Sequence, residues 1–139
     1  MDDLKQRVRG ASGRRVLAWA PVIAWAGLIF ALSAQSNLVF VPDSRLDFVV
    51  RKLGHMGIFG ILALLLWIAL AETTDWRRPW AWGLALAVLY AASDELHQTF
   101  VATRHPSVVD VGIDAAGALI AVTVVAAFLI GLHGDRRLR

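Results

Sequence analysis

Cysteine is absent from the 139-residue chain, which excludes a disulfide framework, a thiolate nucleophile and a thiolate metal site. Charge is scarce as well: 18% of residues are Asp, Glu, Lys or Arg, against roughly 25% in an ordinary soluble domain. There is no glycine-rich phosphate loop, no HExxH and no GxSxG, so no cofactor is implied. His55 with Asp94 or Glu95 could contribute to a metal site, but the spacing requires none and no metal is expected. Alternating ten-residue apolar patterns are missing too, which sets aside a transmembrane β-barrel.

What is present is apolar. Hydrophobic residues make up 58% of the chain and collect in four blocks, roughly 16–32, 53–71, 79–93 and 111–132. A helix needs about 20 apolar residues to cross the hydrocarbon, and its backbone groups must pair within their own segment. The reading is an all-α membrane protein with four transmembrane helices. A cleaved signal peptide competes for the first block, and the basic start through Arg15 fits one. The length of the block, its bulky or kinking Trp19, Pro21 and Trp25, and the poor cleavage site at Leu32-Ser33-Ala34-Gln35 favour a retained span.

Of the 14 Lys and Arg residues, all but Arg45, Arg51, Lys52 and Arg104 fall in the N-terminal tail, the Arg77-Arg78 loop and the C-terminal cluster of Arg136, Arg137 and Arg139. In a four-span chain those three segments share one side, and the positive-inside tendency makes that side cytoplasmic: N-in, C-in. The organisation expected is a mobile basic cytoplasmic tail over 1–15, one membrane domain over 16–132 and a second basic tail over 133–139. The basic ends suit anionic lipid headgroups, and no nucleic-acid partner is implied.

Between the first two spans, residues 34–51 are half apolar and read as a short re-entrant or interfacial segment, with Leu46, Phe48, Val49 and Val50 on the lipid side. Gly54, Gly57 and Gly60 recur every three residues at the start of the second span, and Gly112, Gly117 and their alanine neighbours recur on the fourth. Both stripes predict close helix packing. The third apolar run, Pro79 to Ala92, rises only about 21 Å at 1.5 Å per residue, against a hydrocarbon core of about 30 Å. To cross, this helix must continue through Asp94 and Glu95 toward Gln98.

Ionisable side chains at such depth are costly and normally meet one another or line a wet cavity. Here Lys52 and His55 open the second span, Asp94, Glu95 and Gln98 close the third, Arg104 lies in the connection, and Ser107, Asp110 and Asp114 open the fourth. All reach the same side, so they predict one outer-leaflet polar site. Asp94 and Glu95 are candidates to pair with Lys52 and Arg104, or to handle protons or a cationic or hydroxyl-bearing ligand. Arg104 either holds a lipid phosphate or locks Asp110. Ser107 is placed to cap the fourth helix, with Asp110 three residues on as in a capping box. His97 and His105 read as interfacial.

These residues carry a likeness. Lys52, His55 and Phe59, then Asp94, Glu95, Gln98 and Phe100, then Arg104, Ser107 and Asp110, and finally Asp114 and Gly117, together with the LIFALSAQ end of the first span, resemble the pattern of the VanZ-like family of small bacterial membrane proteins. Tyrosine is more usual at the place of Phe59, and asparagine at that of Asp114. The family takes its name from a member associated with teicoplanin resistance. The resemblance implies a multi-pass protein of the bacterial cytoplasmic (inner) membrane with a role in the cell envelope, and bears on glycopeptide resistance.

Three functions fit. The first is a binding protein whose pocket, formed by Lys52, His55, Asp94, Glu95, Gln98, Arg104, Ser107, Asp110 and Asp114, takes a membrane lipid, a lipid-linked envelope precursor or a glycopeptide-like ligand. The second is an enzyme modifying such a lipid, with Glu95 or Asp94 as general base and His55 as acid or proton relay. The third is an assembly protein whose polar groups only specify packing.

Overall fold

The computed structural model describes residues 2–35, 44–102, 104 and 106–135. It is all-α, with helices α1 (Asp2–Ser33), α2 (Ser44–Thr73), α3 (Pro79–Gln98) and α4 (Val108–Asp135). Three of them are long and apolar enough to cross a membrane, over Gly13–Ser33, Arg45–Thr73 and Val108–Leu132. α3 is the exception: its last two turns carry Asp94, Glu95, His97 and Gln98.

Two expected boundaries move. The N-terminal tail is helical from Asp2 and continuous with α1, in keeping with the strong helix formers Leu4, Lys5, Gln6 and Arg7. The stretch expected as a separate segment up to residue 51 is, from Ser44 on, the opening of α2. Residues 36–43 of it lie outside the described residues. Leu46, Phe48, Val49 and Val50 are exposed on these first turns.

Cross-contacts fix the direction of each helix. Trp25 Nε1 on α1 donates to the Ile58 carbonyl of α2 at 2.8 Å, and Trp19 Nε1 donates to Thr73 Oγ1 at 3.1 Å. Residue numbers fall on one helix as they rise on the other, so α1 and α2 are antiparallel. Phe59 of α2 meets Tyr90 of α3, and Gly83 of α3 lies against the backbone of Ala63 and Trp67, so these two are antiparallel as well. Lys52 and His55 pair with Asp110 and Asp114 of α4, and Gly60 meets Gly117 and Ala121, so α2 and α4 run parallel. Tyr90 OH donates to the Ala26 carbonyl and Ser33 to Asp94, so α1 and α3 are parallel too. The chain goes up, down, up, down, with α2 in contact with all three other helices.

Small residues make this possible. The core is Phe59, Leu62 and Ile29 surrounded by Ala63, Ala69, Ala87, Ala91 and Ala118, and alanine lets helix backbones approach closely. At Gly83 even one carbon more is excluded, because a Cβ would lie 2.8 Å from the Trp67 nitrogen; at Gly117 it would run into the Met56 backbone. The expected glycine stripe on α2 holds only at Gly60, where a Cβ would sit 3.2 Å from both Gly117 O and Ala121 Cβ. Gly54 and Gly57, like Gly112 on α4, have nothing within 4 Å of an added Cβ. The close approach of α2 to α4 begins at Met56 and Gly60, and toward the start of both helices long side chains bridge the gap instead.

Candidate functional site

The polar residues gather at the end of the bundle where α1 and α3 finish and α2 and α4 begin. Helical spacing sets two rungs between α2 and α4. Lys52 and His55, three apart, share one face of α2; Asp110 and Asp114, four apart, share one face of α4. The Lys52 ammonium pairs with Asp110 and sits 5.2 Å from the centre of the Phe48 ring. His55 Nδ1 lies 3.4 and 3.5 Å from the two carboxylate oxygens of Asp114, which is 1% exposed. That separation is long for a hydrogen bond, so the contact is chiefly electrostatic.

Asp94 and Glu95 are both buried but point to different helices, because successive residues are turned by about 100° around an α-helix. Asp94 Oδ2 accepts from Ser33 Oγ at 2.7 Å and from Gln98 Nε2 at 3.0 Å. Glu95 Oε2 accepts the backbone N–H of Ser107 at 2.8 Å. Neither forms an ion pair with Lys52 or Arg104 among the described residues, and the expected pairing is replaced by hydrogen bonds to uncharged donors. Burial of a carboxylate is tolerated when such donors satisfy it.

Ser107 caps α4 as expected: its Oγ accepts from the Val109 N–H at 3.2 Å. The reciprocal half of the capping box is supplied by Glu95 across the helix interface and not by Asp110, which is engaged with Lys52. Arg104 does not lock Asp110. Its Nε and Nη2 donate to the Gln35 carbonyl at 3.2 and 2.9 Å, and its charge faces no carboxylate among the described residues. Ser33, the hydroxyl that holds Asp94, is a site residue that the sequence signals only through the LIFALSAQ likeness. His97 lies at the α1–α3 seam, its ring stacked 4.3 Å from that of Phe30, with Nδ1 buried and unpartnered among the described residues. His105 lies outside them.

Beside this cluster a cavity of ≈ 170 Å³ opens between the end of α1 and the start of α2, lined by Leu32, Ser33, Val50, Arg51, Gly54, His55, Ile58 and Arg104. Its walls are mostly apolar. Of the residues expected to bind a ligand, only His55 and Arg104 line it; Lys52, Asp94, Glu95, Gln98, Ser107, Asp110 and Asp114 do not. Arg51 contributes a second guanidinium, but its Nε and Nη2 are held by Asp47 at 2.6 and 2.5 Å.

No curated protein and no solved structure matches the chain. The VanZ/LLP1 family model matches residues 14–130, a region that contains every residue of the cluster and all but the outermost residues of the three apolar spans. With most of its length covered, the chain is a multi-pass membrane protein of the cell envelope that belongs to the VanZ/LLP1 family.

Proposed function

We infer that this protein crosses the bacterial cytoplasmic membrane four times, with both termini and the basic tails 1–15 and 133–139 inside, and binds a lipid-linked envelope ligand in an outer-leaflet cavity. The fourth span is α3. Two observations support it: α2 and α4 run parallel and both have the composition of a span, so the chain between them must return; and α3, at 20 residues, is about 30 Å long, the thickness of the hydrocarbon. The distribution of Lys and Arg supports the orientation.

The observation that carries the binding reading is Arg104. It borders a mostly apolar cavity, and among the described residues its guanidinium is committed to one backbone carbonyl. A fixed positive charge above an apolar slot is complementary to an amphiphile with an anionic head and a hydrocarbon chain. The cluster's carboxylates leave this complementarity intact, because each is turned into a helix seam. A glycopeptide, many times larger than the cavity, fits it less well than a lipid chain. An acid–base reaction centred on Glu95 or Asp94 would need those groups to reach the ligand, and both are engaged away from the cavity.

Purified protein is expected to bind a long-chain alkyl phosphate, and Arg104→Ala to weaken that binding by at least tenfold, about 1.4 kcal/mol. The measurement is native mass spectrometry from nonionic detergent micelles. Unchanged affinity in the variant would remove the anionic contact and with it the reading.

A further inference from the structure

His55 and Ser33 belong both to the buried polar cluster and to the cavity wall, and of the two only His55 can exchange a proton near neutral pH. Its Nδ1 faces Asp114, and the residue lines the cavity between α1 and α2. Asp114 is buried behind it on α4 and does not reach the cavity itself. The electrostatic pull of the carboxylate favours a proton on Nδ1, which leaves Nε2 as the nitrogen to offer to a ligand. In the neutral ring Nε2 accepts a hydrogen bond from a hydroxyl; in the charged ring it donates one to an oxyanion. The head group that suits both states is one whose own oxygen exchanges a proton near neutrality.

On the binding reading given above, we propose that the cavity selects an amphiphile ending in a phosphate monoester, with Arg104 meeting its charge, His55 Nε2 sharing its exchangeable proton, and Asp114 acting as the positioning residue. A phosphate monoester loses its second proton near pH 6 and carries between one and two negative charges at pH 7. A phosphate diester with the same chain has a single fixed charge and no proton to exchange. Arg104 serves both ligands. His55 serves the monoester better, because only there do the two partners share a proton in a contact that is charge-assisted either way.

The test compares dodecyl phosphate with dodecyl methyl phosphate, titrated into the full chain in nonionic detergent and counted by native mass spectrometry. The monoester is expected to bind about tenfold more tightly than the diester, the effect of one charge-assisted hydrogen bond. His55→Ala should bring the monoester down to the level of the diester and leave the diester unchanged. His55→Gln stands in if the alanine variant does not fold. Asp114→Asn, which keeps the shape of the side chain, should lower the monoester alone, a selectivity that a purely structural role would not produce. Equal binding of the two amphiphiles to the unmodified protein, or an equal loss of both in the His55 variants, overturns the monoester assignment and leaves the anionic cavity standing. Failure of either amphiphile to bind, or binding indifferent to Arg104→Ala, overturns the cavity reading itself.

Discussion

At the scale of single residues, Glu95 shows how a membrane protein accommodates a buried carboxylate that has no cationic partner among the described residues. It accepts the Ser107 N–H at 2.8 Å, one of the donors that the start of a helix leaves unpaired, and the positive end of the α4 dipole favours its charge. Glu95→Gln keeps an acceptor oxygen at the same place and should leave the protein folded. Glu95→Ala leaves the N–H uncapped and should cost about 1 kcal/mol, the usual effect of losing a helix cap. Thermal denaturation in detergent reads the difference; a Gln variant as unstable as the Ala variant would mean that the charge, and not the hydrogen bond, holds the two helices together. Asp94 works by the same logic at the end of α1, where Ser33 and Gln98 supply its donors.

At the scale of elements, α2 organises the bundle through glycines whose roles differ sharply. Gly117→Ala sets a methyl group against the Met56 backbone, whereas Gly57→Ala meets nothing within 4 Å. The first is expected to destabilise by roughly 2 kcal/mol, as overpacking does, and the second to change stability by less than about 0.5 kcal/mol. Unfolding of the two purified variants side by side tests the assignment, and equal melting temperatures would contradict it. This contrast marks where sequence reading stops. Four helices were legible because apolar blocks of span length have few alternatives in lipid, and the gathering of polar residues at one end followed from their order along the chain. Their partners were not legible. Lys52 was read against Asp94 or Glu95 yet meets Asp110, because helix rotation and crossing geometry decide which of several carboxylates at one depth faces it. Gly54, Gly57 and Gly60 looked equivalent, but two tight spots, at Gly83 on α3 and around Met56 and Gly117, determine which glycines matter. Ser33 is not legible as a site residue, because a lone serine at a helix end has no pattern of its own.

At the scale of the whole molecule, the absence of cysteine makes the up, down, up, down course directly testable. Single cysteines introduced as Asp75→Cys, in the connection between α2 and α3, and as Ala102→Cys, in the connection between α3 and α4, are expected to differ in intact cells. A membrane-impermeant maleimide should label the second and spare the first until the membrane is opened. Labelling of both from outside would contradict a return crossing by α3.

The division of labour between α3 and α4 also has a consequence for how the chain is made. α3 is the helix without the apolar character of a span, and the group that satisfies Glu95 lies at Ser107, synthesised only after α3 is complete. Released alone into lipid, α3 would expose a carboxylate with no donor to meet it. On the four-span reading proposed above, it is therefore expected to wait at the insertion machinery until α4 emerges and to enter the bilayer with it as a hairpin.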